Sequence, residues 1–174
     1  MAVNTARVEK LRKRQIDGQS LKRLVEAGLA WLRTNQQIVN ALNVFPVPDG
    51  DTGRNLFITL SALRNPWQNE EKLGREILLT ARGNSGNIAA RFLAGFLGCK
   101  DLFAMPAAVE SGRDLAYKAV PDPQPGTMLS FFDAFVESLK RNPPSQSGAW
   151  VDAVVLDLET SVKATTQQLQ ELRE

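Results

Sequence analysis

Two aspartates one residue apart, Asp49 and Asp51, stand in the string Asn43-Val44-Phe45-Pro46-Val47-Pro48-Asp49-Gly50-Asp51-Thr52-Gly53-Arg54-Asn55. Prolines stiffen the approach, and glycines at 50 and 53 permit the backbone of a turn that aims two carboxylates at one point. Two carboxylates converging on a hard cation, with phosphate oxygens and water completing its shell, are a Mg²⁺-type arrangement. The same string also reads as an Asp-Gly turn with Asp51 capping the helix that follows, and spacing alone does not separate the two readings. An EF-hand fits less well, because it needs an oxygen ligand at position 53 and a Glu at position 60, which are Gly53 and Leu60.

A second stretch, Ala81-Arg82-Gly83-Asn84-Ser85-Gly86, stands at the entrance of an apolar helix. Amides turned outward by glycines, the Ser85 hydroxyl and the positive end of the helix dipole together suit phosphate. A helix-to-helix turn capped by Asn84 or Ser85 is the plainer alternative. The stretch is not a Walker loop, whose Gly-Lys-Ser/Thr is absent. In a third stretch, Pro125-Gly126-Thr127-Met128-Leu129, Thr127 suits either a cap or a ligand contact, and Met128 either an apolar slot or the core. The repetition strengthens all three. Glycine-bearing loops that each feed a helix start, one of them with two Asp, are what an all-α protein needs to gather metal and phosphates at one end of a bundle.

Helices must hold those loops. Leu21, Leu24, Val25, Gly28, Leu29 and Leu32 predict a helix over 18–34 with Asp17 upstream as its cap, and Ile38–Leu42 a short second one stopped by the prolines after Asn43. Further helices are expected over Asn55–Leu63, Glu70–Ala81, from Ile88 through Phe96, over Ala107–Val120, Thr127–Leu139 and Ala149–Arg173, with proline-rich breaks between several of them. Nowhere does strict alternation persist, so the fold class is all-α. Trp31, Trp67 and Trp150 read as packing residues, with Trp67 also suited to a surface patch. Cys99 reads as structural.

Composition removes whole classes. The 174 residues hold 21 Lys plus Arg against 19 Asp plus Glu, a net charge of +2, and no basic run longer than Arg12-Lys13-Arg14, so nucleic acid is not the expected partner. With no His and one Cys, Ser-His-Asp and Cys-His triads, His-ligated zinc and an internal disulfide are excluded. No apolar run approaches the ~18 residues of a transmembrane segment. Residues 1–16 form a charged arm without the apolar middle of a signal peptide, which reads as cytoplasmic, and the rest as one domain, 17–174.

The runs Asn40 to Gly53, Ala81 to Gly86 and Ala116-Tyr117-Lys118-Ala119-Val120 resemble the N-terminal domain of the bacterial fatty acid kinase A subunit. That domain is of the DhaL type, the ATP-binding half of dihydroxyacetone kinases. The resemblance implies an antiparallel helical barrel of about eight helices with Mg²⁺ and ATP or ADP at one end. It implies that Asp49 and Asp51 are the metal carboxylates, with Asn43 the nearest polar substitute for a third, upstream Asp. Asn55, Gly83, Asn84, Ser85 and Gly86 fall on the phosphate side, and Thr127 and Met128 beside the nucleotide. No catalytic side chain is assigned; Arg54 and Arg82 are candidates for steadying the transferring group, or else are solvated or ion-paired. The implied activity is transfer of the γ-phosphoryl group to a fatty acid carboxylate presented by a lipid-binding partner protein; a homodimer is also allowed.

Two rivals stand beside that reading. Dihydroxyacetone phosphorylation is disfavoured by Thr52, where that branch usually has a His, and by Val44 in place of the upstream Asp. A non-catalytic nucleotide-binding or structural helical module is the other. Pro125 replaces the Glu usual in the third loop. Family members continue beyond a sequence like Gln170 to Glu174 into a segment that closes over the nucleotide, so on this reading the chain is a piece of a longer multidomain protein.

Overall fold

The computed structural model describes residues 18–43, 47–65, 69–145 and 149–168, and among these it is helical with no strand. Seven α-helices follow one another: α1 (Gly18–Ala41), α2 (Thr52–Leu60), α3 (Glu70–Thr80), α4 (Gly83–Phe96), α5 (Met105–Tyr117), α6 (Met128–Arg141) and α7 (Ala149–Thr165). Short 3-10 turns at Ser61–Arg64 and Leu102–Ala104 extend α2 and introduce α5. The all-α expectation holds.

Three boundaries differ from the sequence expectation. The helix expected over 18–34 and the short one over 38–42 are a single α1, because Thr34 and Asn35 fold back to bond the carbonyls of Ala30 (3.0 Å) and Trp31 (2.9 Å) and so leave the helix unbroken. The glycines of the second loop lie inside the first turn of α4, and only Ala81 and Arg82 separate α3 from α4. At the end of α7, Thr165 and Thr166 donate to the carbonyls of Val162 and Lys163, and Gln167 and Gln168 bond three residues back, so the helix gives way to a turn over 166–168; residues 169–173 of the expected helix lie outside the described residues. The expected cap Asp17, the packing residue Trp67 and residues 44–46 lie outside the described residues.

The helices pack side by side in the order α1, α2, α4, α5, α6, α7, with α3 seated against α4. Close spacing at the α4–α5 crossing comes from Gly95 and Gly112: a methyl on Gly95 would stand 2.6 Å from the Gly112 Cα. The core has three parts. Leu73 and Ile77 pack with Ala62, Ala90 and Leu97 around α3 and α4. Val109, Val136, Leu139 and Val154 join α5, α6 and α7, with Trp150 packed against them as expected. The third, Ala116, Leu129 and Phe132, sits where α5 ends and α6 begins; Phe92 stacks on Phe132 with ring centroids 4.0 Å apart. Trp31 departs from the expectation: it is 64% exposed, because Leu29 and Leu32 turn the buried face of α1 away from it. No helix among the described residues is long and apolar enough to cross a membrane.

Candidate functional site

The three glycine loops come to one end of the molecule because helices α2, α4 and α6 all start there. Each loop contains a glycine in the left-handed region, Gly50 (φ 66°), Gly83 (φ 60°) and Gly126 (φ 82°), and no other described residue has positive φ. Side-chain-bearing residues avoid that region, so these positions fix where the loops turn.

Between the loops lies a cavity of about 820 Å³. Asp49, Asp51 and Asn43 line one side of it, Asn84 and Ser85 another, and Thr127 and Met128 a third. Its apolar lining includes Ile88, Val120 and Leu129, the top of the third core cluster, so Met128 is both a core residue and a cavity residue. Asn43 Nδ2 donates to Asp49 Oδ1 at 2.6 Å, which holds that carboxylate at the rim.

Asp51 occupies the N-cap position of α2, yet its side chain makes no capping bond. Asn40, on α1, does that work: its Oδ1 accepts from the amides of Gly53 (2.8 Å) and Arg54 (3.2 Å). The capping alternative for Asp51 is therefore half right. The residue sits at the cap, but its carboxylate is released to the cavity by an amide supplied from another helix.

α4 repeats the device. Its N-cap is Arg82, without a side-chain capping bond, and neither Asn84 nor Ser85 caps it. The Arg82 amide is taken instead by Thr59 Oγ1 at 3.1 Å, a fully buried hydroxyl that itself donates to the Asn55 carbonyl at 2.8 Å. A methyl on Gly83 would collide with the Asn55 side-chain amide, and one on Gly86 with the Thr59 hydroxyl. Asn55, Gly83 and Gly86 thus form the layer behind the cavity; they do not line it. The first-turn amides of α4 have no intrahelical acceptor.

α6 is held from within its own loop. The Gly126 amide donates to Ser130 Oγ at 2.9 Å, and Thr127 Oγ1 to the Gln124 carbonyl at 2.9 Å, so Thr127 at the N-cap makes no cap of its own. Sequence reasoning missed Asn40, Thr59, Asp122 and Gln124. The last two line the cavity from the Pro121–Gly126 loop, and Asp122 has a proline on each side. Asn40 and Thr59 carry no local signal beyond one-turn spacing from Asn43 and Asn55.

Two charged groups stand at these helix starts without lining the cavity. Arg54 and Arg82 are exposed at the starts of α2 and α4, and Arg82 bonds the Ala81 carbonyl at 3.1 Å. Nearby, the end of α5 is tied to α6 by Tyr117, whose hydroxyl donates to Asp133, itself 3.8 Å from Arg113. Burial, then the bond to Asp133, push the Tyr117 hydroxyl up to about 12.

Residues 46–174 match the family model of the DAK2 domain. The chain is 35% identical to protein YloV of Bacillus subtilis over 92% of its own length and 32% of that relative. It is 33% identical to an uncharacterised protein of Staphylococcus haemolyticus and 32% identical to one of Staphylococcus aureus, in each case over 67% of this chain and 24% of the relative. The chain thus spans a quarter to a third of the length of these curated relatives. It belongs to the DAK2 domain family, whose domains are parts of kinase systems and generally bind nucleotide.

Proposed function

We propose that this DAK2 domain binds Mg-ATP in the cavity between its three glycine loops and donates the γ-phosphoryl group to a fatty acid carboxylate presented by a separate lipid-binding protein. The observation that supports it most is the meeting, in one cavity, of two carboxylates and three helix starts whose N-cap side chains make no capping bond. No group of three or more His, Cys, Asp or Glu suited to a metal occurs among the described residues. Two carboxylates fit an ion that keeps several waters and takes other oxygens from phosphates, whereas zinc would require more protein ligands. Such an ion, when bound, neutralises charge on the phosphate oxygens.

Asp49 and Asp51 hold the ion, with Asn43 fixing Asp49. Ser85 and the open amides of the α4 first turn orient the phosphates, and Ile88, Val120 and Met128 offer an apolar wall to the base. Thr127 stands beside it. Asn55 and Thr59 position the α4 start from behind. An oxygen of the acceptor carboxylate bonds to the γ-phosphorus as the bond from that phosphorus to the β–γ bridging oxygen breaks, giving an acyl phosphate and ADP. A carboxylate has no proton to lose, so a chain without His and without an assigned general base is compatible with the reaction. Arg54 or Arg82 serves as the cation beside the transferring group.

Calorimetric titration with ATP, with and without Mg²⁺, tests the reading on the 174-residue chain. Magnesium-dependent binding that the Asp49→Ala/Asp51→Ala variant loses is the expected result. Unchanged binding by that variant would return the loop to a plain Asp-Gly turn. Saturable binding without turnover, even with a lipid-loaded partner present, would favour the non-catalytic module.

A further inference from the structure

Of the carboxylates that line the cavity, Asp49 and Asp51 are assigned to the ion and Asp122 is left over. It stands on the loop between α5 and α6, exposed at the cavity edge, and among the described residues it makes no hydrogen bond or ion pair. No group of three or more metal-binding side chains occurs among those residues, so Asp122 does not complete the Asp49–Asp51 pair. Its loop is built to hold it still. Prolines at 121, 123 and 125 fix their own φ and steer Val120, Asp122 and Gln124, each preceding one of them, away from helical backbone. Both ends are tied down: the amides of Ala119 and Val120 donate to the carbonyls of Ala116 (3.0 Å) and Tyr117 (3.1 Å), and Thr127 Oγ1 donates to the Gln124 carbonyl at 2.9 Å. A side chain carried on backbone that is already fixed loses less freedom when it takes a ligand.

A carboxylate accepts hydrogen bonds and donates none. The phosphates of a nucleotide are acceptors that carry negative charge, so Asp122 repels that part of the ligand. The donors are the ribose hydroxyls and the N–H groups of the base. The base belongs against the apolar wall of Ile88, Val120 and Met128, which are half-buried, whereas Asp122 is exposed. Ribose joins the base to the phosphates and is the donor-bearing part that meets a carboxylate at the edge. Resting on the Mg-ATP reading of this cavity, we propose that Asp122 binds the ribose of the nucleotide, its carboxylate accepting from the 2′- and 3′-hydroxyls, and that this contact makes the cavity prefer ribonucleotides to deoxyribonucleotides. An acidic side chain on a ribose hydroxyl is a recurring solution in nucleotide sites of other folds.

The sign of the effect separates this role from that of a solvated charge. Mg-ATP is a net anion, so removing an idle carboxylate from the cavity edge lowers repulsion and leaves binding equal or tighter. Removing an acceptor of the ribose weakens it. Hydrogen bonds to an ionised group are among the stronger ones, but water competes at an exposed edge, so a loss of about tenfold is the expected scale. A phosphate ligand without ribose escapes that loss.

Calorimetric titration of the 174-residue chain, in the presence of Mg²⁺, with ATP, 2′-deoxy-ATP, 3′-deoxy-ATP, GTP and inorganic tripolyphosphate tests the contact. Wild type should bind each deoxy analogue roughly three- to tenfold more weakly than ATP. Asp122→Ala should bind ATP about tenfold more weakly than wild type, treat ATP and the deoxy analogues alike, and bind tripolyphosphate at least as tightly as wild type does. Asp122→Asn, which keeps an acceptor oxygen without the charge, should fall between the two. Because the side chain is exposed and unbonded, both variants should unfold at the wild-type Tm. A wild type that binds no ATP overturns the Mg-ATP reading and the ribose contact with it. Where wild type binds ATP and Asp49→Ala/Asp51→Ala does not, the ribose contact alone is overturned by an Asp122→Ala variant that binds ATP as well as wild type or still rejects the deoxy analogues. A loss that tripolyphosphate shares overturns it too. So does a changed preference between ATP and GTP with none between ATP and its deoxy forms, which would move the contact to the base.

Discussion

The two ends of the helical assembly solve the same problem in opposite ways. At the end away from the cavity, two starts are closed by side chains of their own segments, although α5 proper begins at Ala104 without one. Asn69 accepts from the Lys72 amide at 2.8 Å to cap α3, and Asp101 accepts from Phe103 and Ala104, both at 2.9 Å, to open the turn that leads into α5. At the cavity end, the N-cap residues Asp51, Arg82 and Thr127 cap nothing. Two of those helices are steadied from a neighbouring helix, α2 by Asn40 of α1 and α4 by Thr59 of α2, while α6 is steadied by its own Ser130 one turn on. A self-capped helix spends its side chain and its first amides on one another. Supporting a helix start from behind leaves the front open, and that is where the cavity lies.

The largest expected effect comes from removing chemistry at the open end. Asp49→Ala with Asp51→Ala should weaken magnesium-dependent ATP binding at least about 100-fold, while shifting stability by no more than ~0.5 kcal/mol, since neither carboxylate caps a helix. Asp101→Ala, the far-end counterpart, should do the reverse: about 1–2 kcal/mol of stability lost by denaturant titration, with ATP affinity unchanged.

Structural support comes next. Gly83→Val places a β-branched side chain at positive φ against the Asn55 amide and should destabilise by about 3 kcal/mol, with binding lost in whatever still folds. A fully stable variant would mean that the second loop is not fixed by that contact. Smaller still, Asn40→Ala should remove about 1–2 kcal/mol and weaken ATP binding, and Asn40→Asp, which keeps an acceptor, should recover most of both. Asn69→Ala should lower stability by about 1 kcal/mol and leave binding alone. Equal effects of the two substitutions on binding would erase the contrast between the ends.

The smallest effect concerns pH. Folding raises the Tyr117 hydroxyl to about 12 from an ordinary value near 10, so the folded state holds that proton more tightly than the unfolded one. The contribution is complete below pH ~10 and declines as pH rises towards 12. Tyr117→Phe should flatten that segment of the stability profile, and an unchanged profile would deny the bond to Asp133 any part in it.

Most of the helices were legible from apolar period alone, and the three loops from glycine next to polar residues. The errors have identifiable causes. The expectation divides α1 because the apolar spacing lapses after Leu32, yet Thr34 and Asn35 bond backward within one continuous helix. Trp31 was assigned to packing by residue type, although its angular position, one step from the buried face, leaves it exposed. The alternative in which Asn84 or Ser85 caps α4 fails because local sequence offers no view of a hydroxyl arriving from a residue more than twenty positions away.

Sequence by itself determined the all-α class, most of the places where helices break, and the glycine positions at which only a residue without a Cβ turns the chain. Those depend on local sterics and on the 3.6-residue period, which are written within a few residues of each site. Tertiary structure alone decided that the three loops share one cavity, that Asn55 supports it from behind, and that Asn40 and Thr59 stand in for the missing caps. Such choices are made between residues distant in sequence, where competition for a single amide is settled by which helix lies alongside.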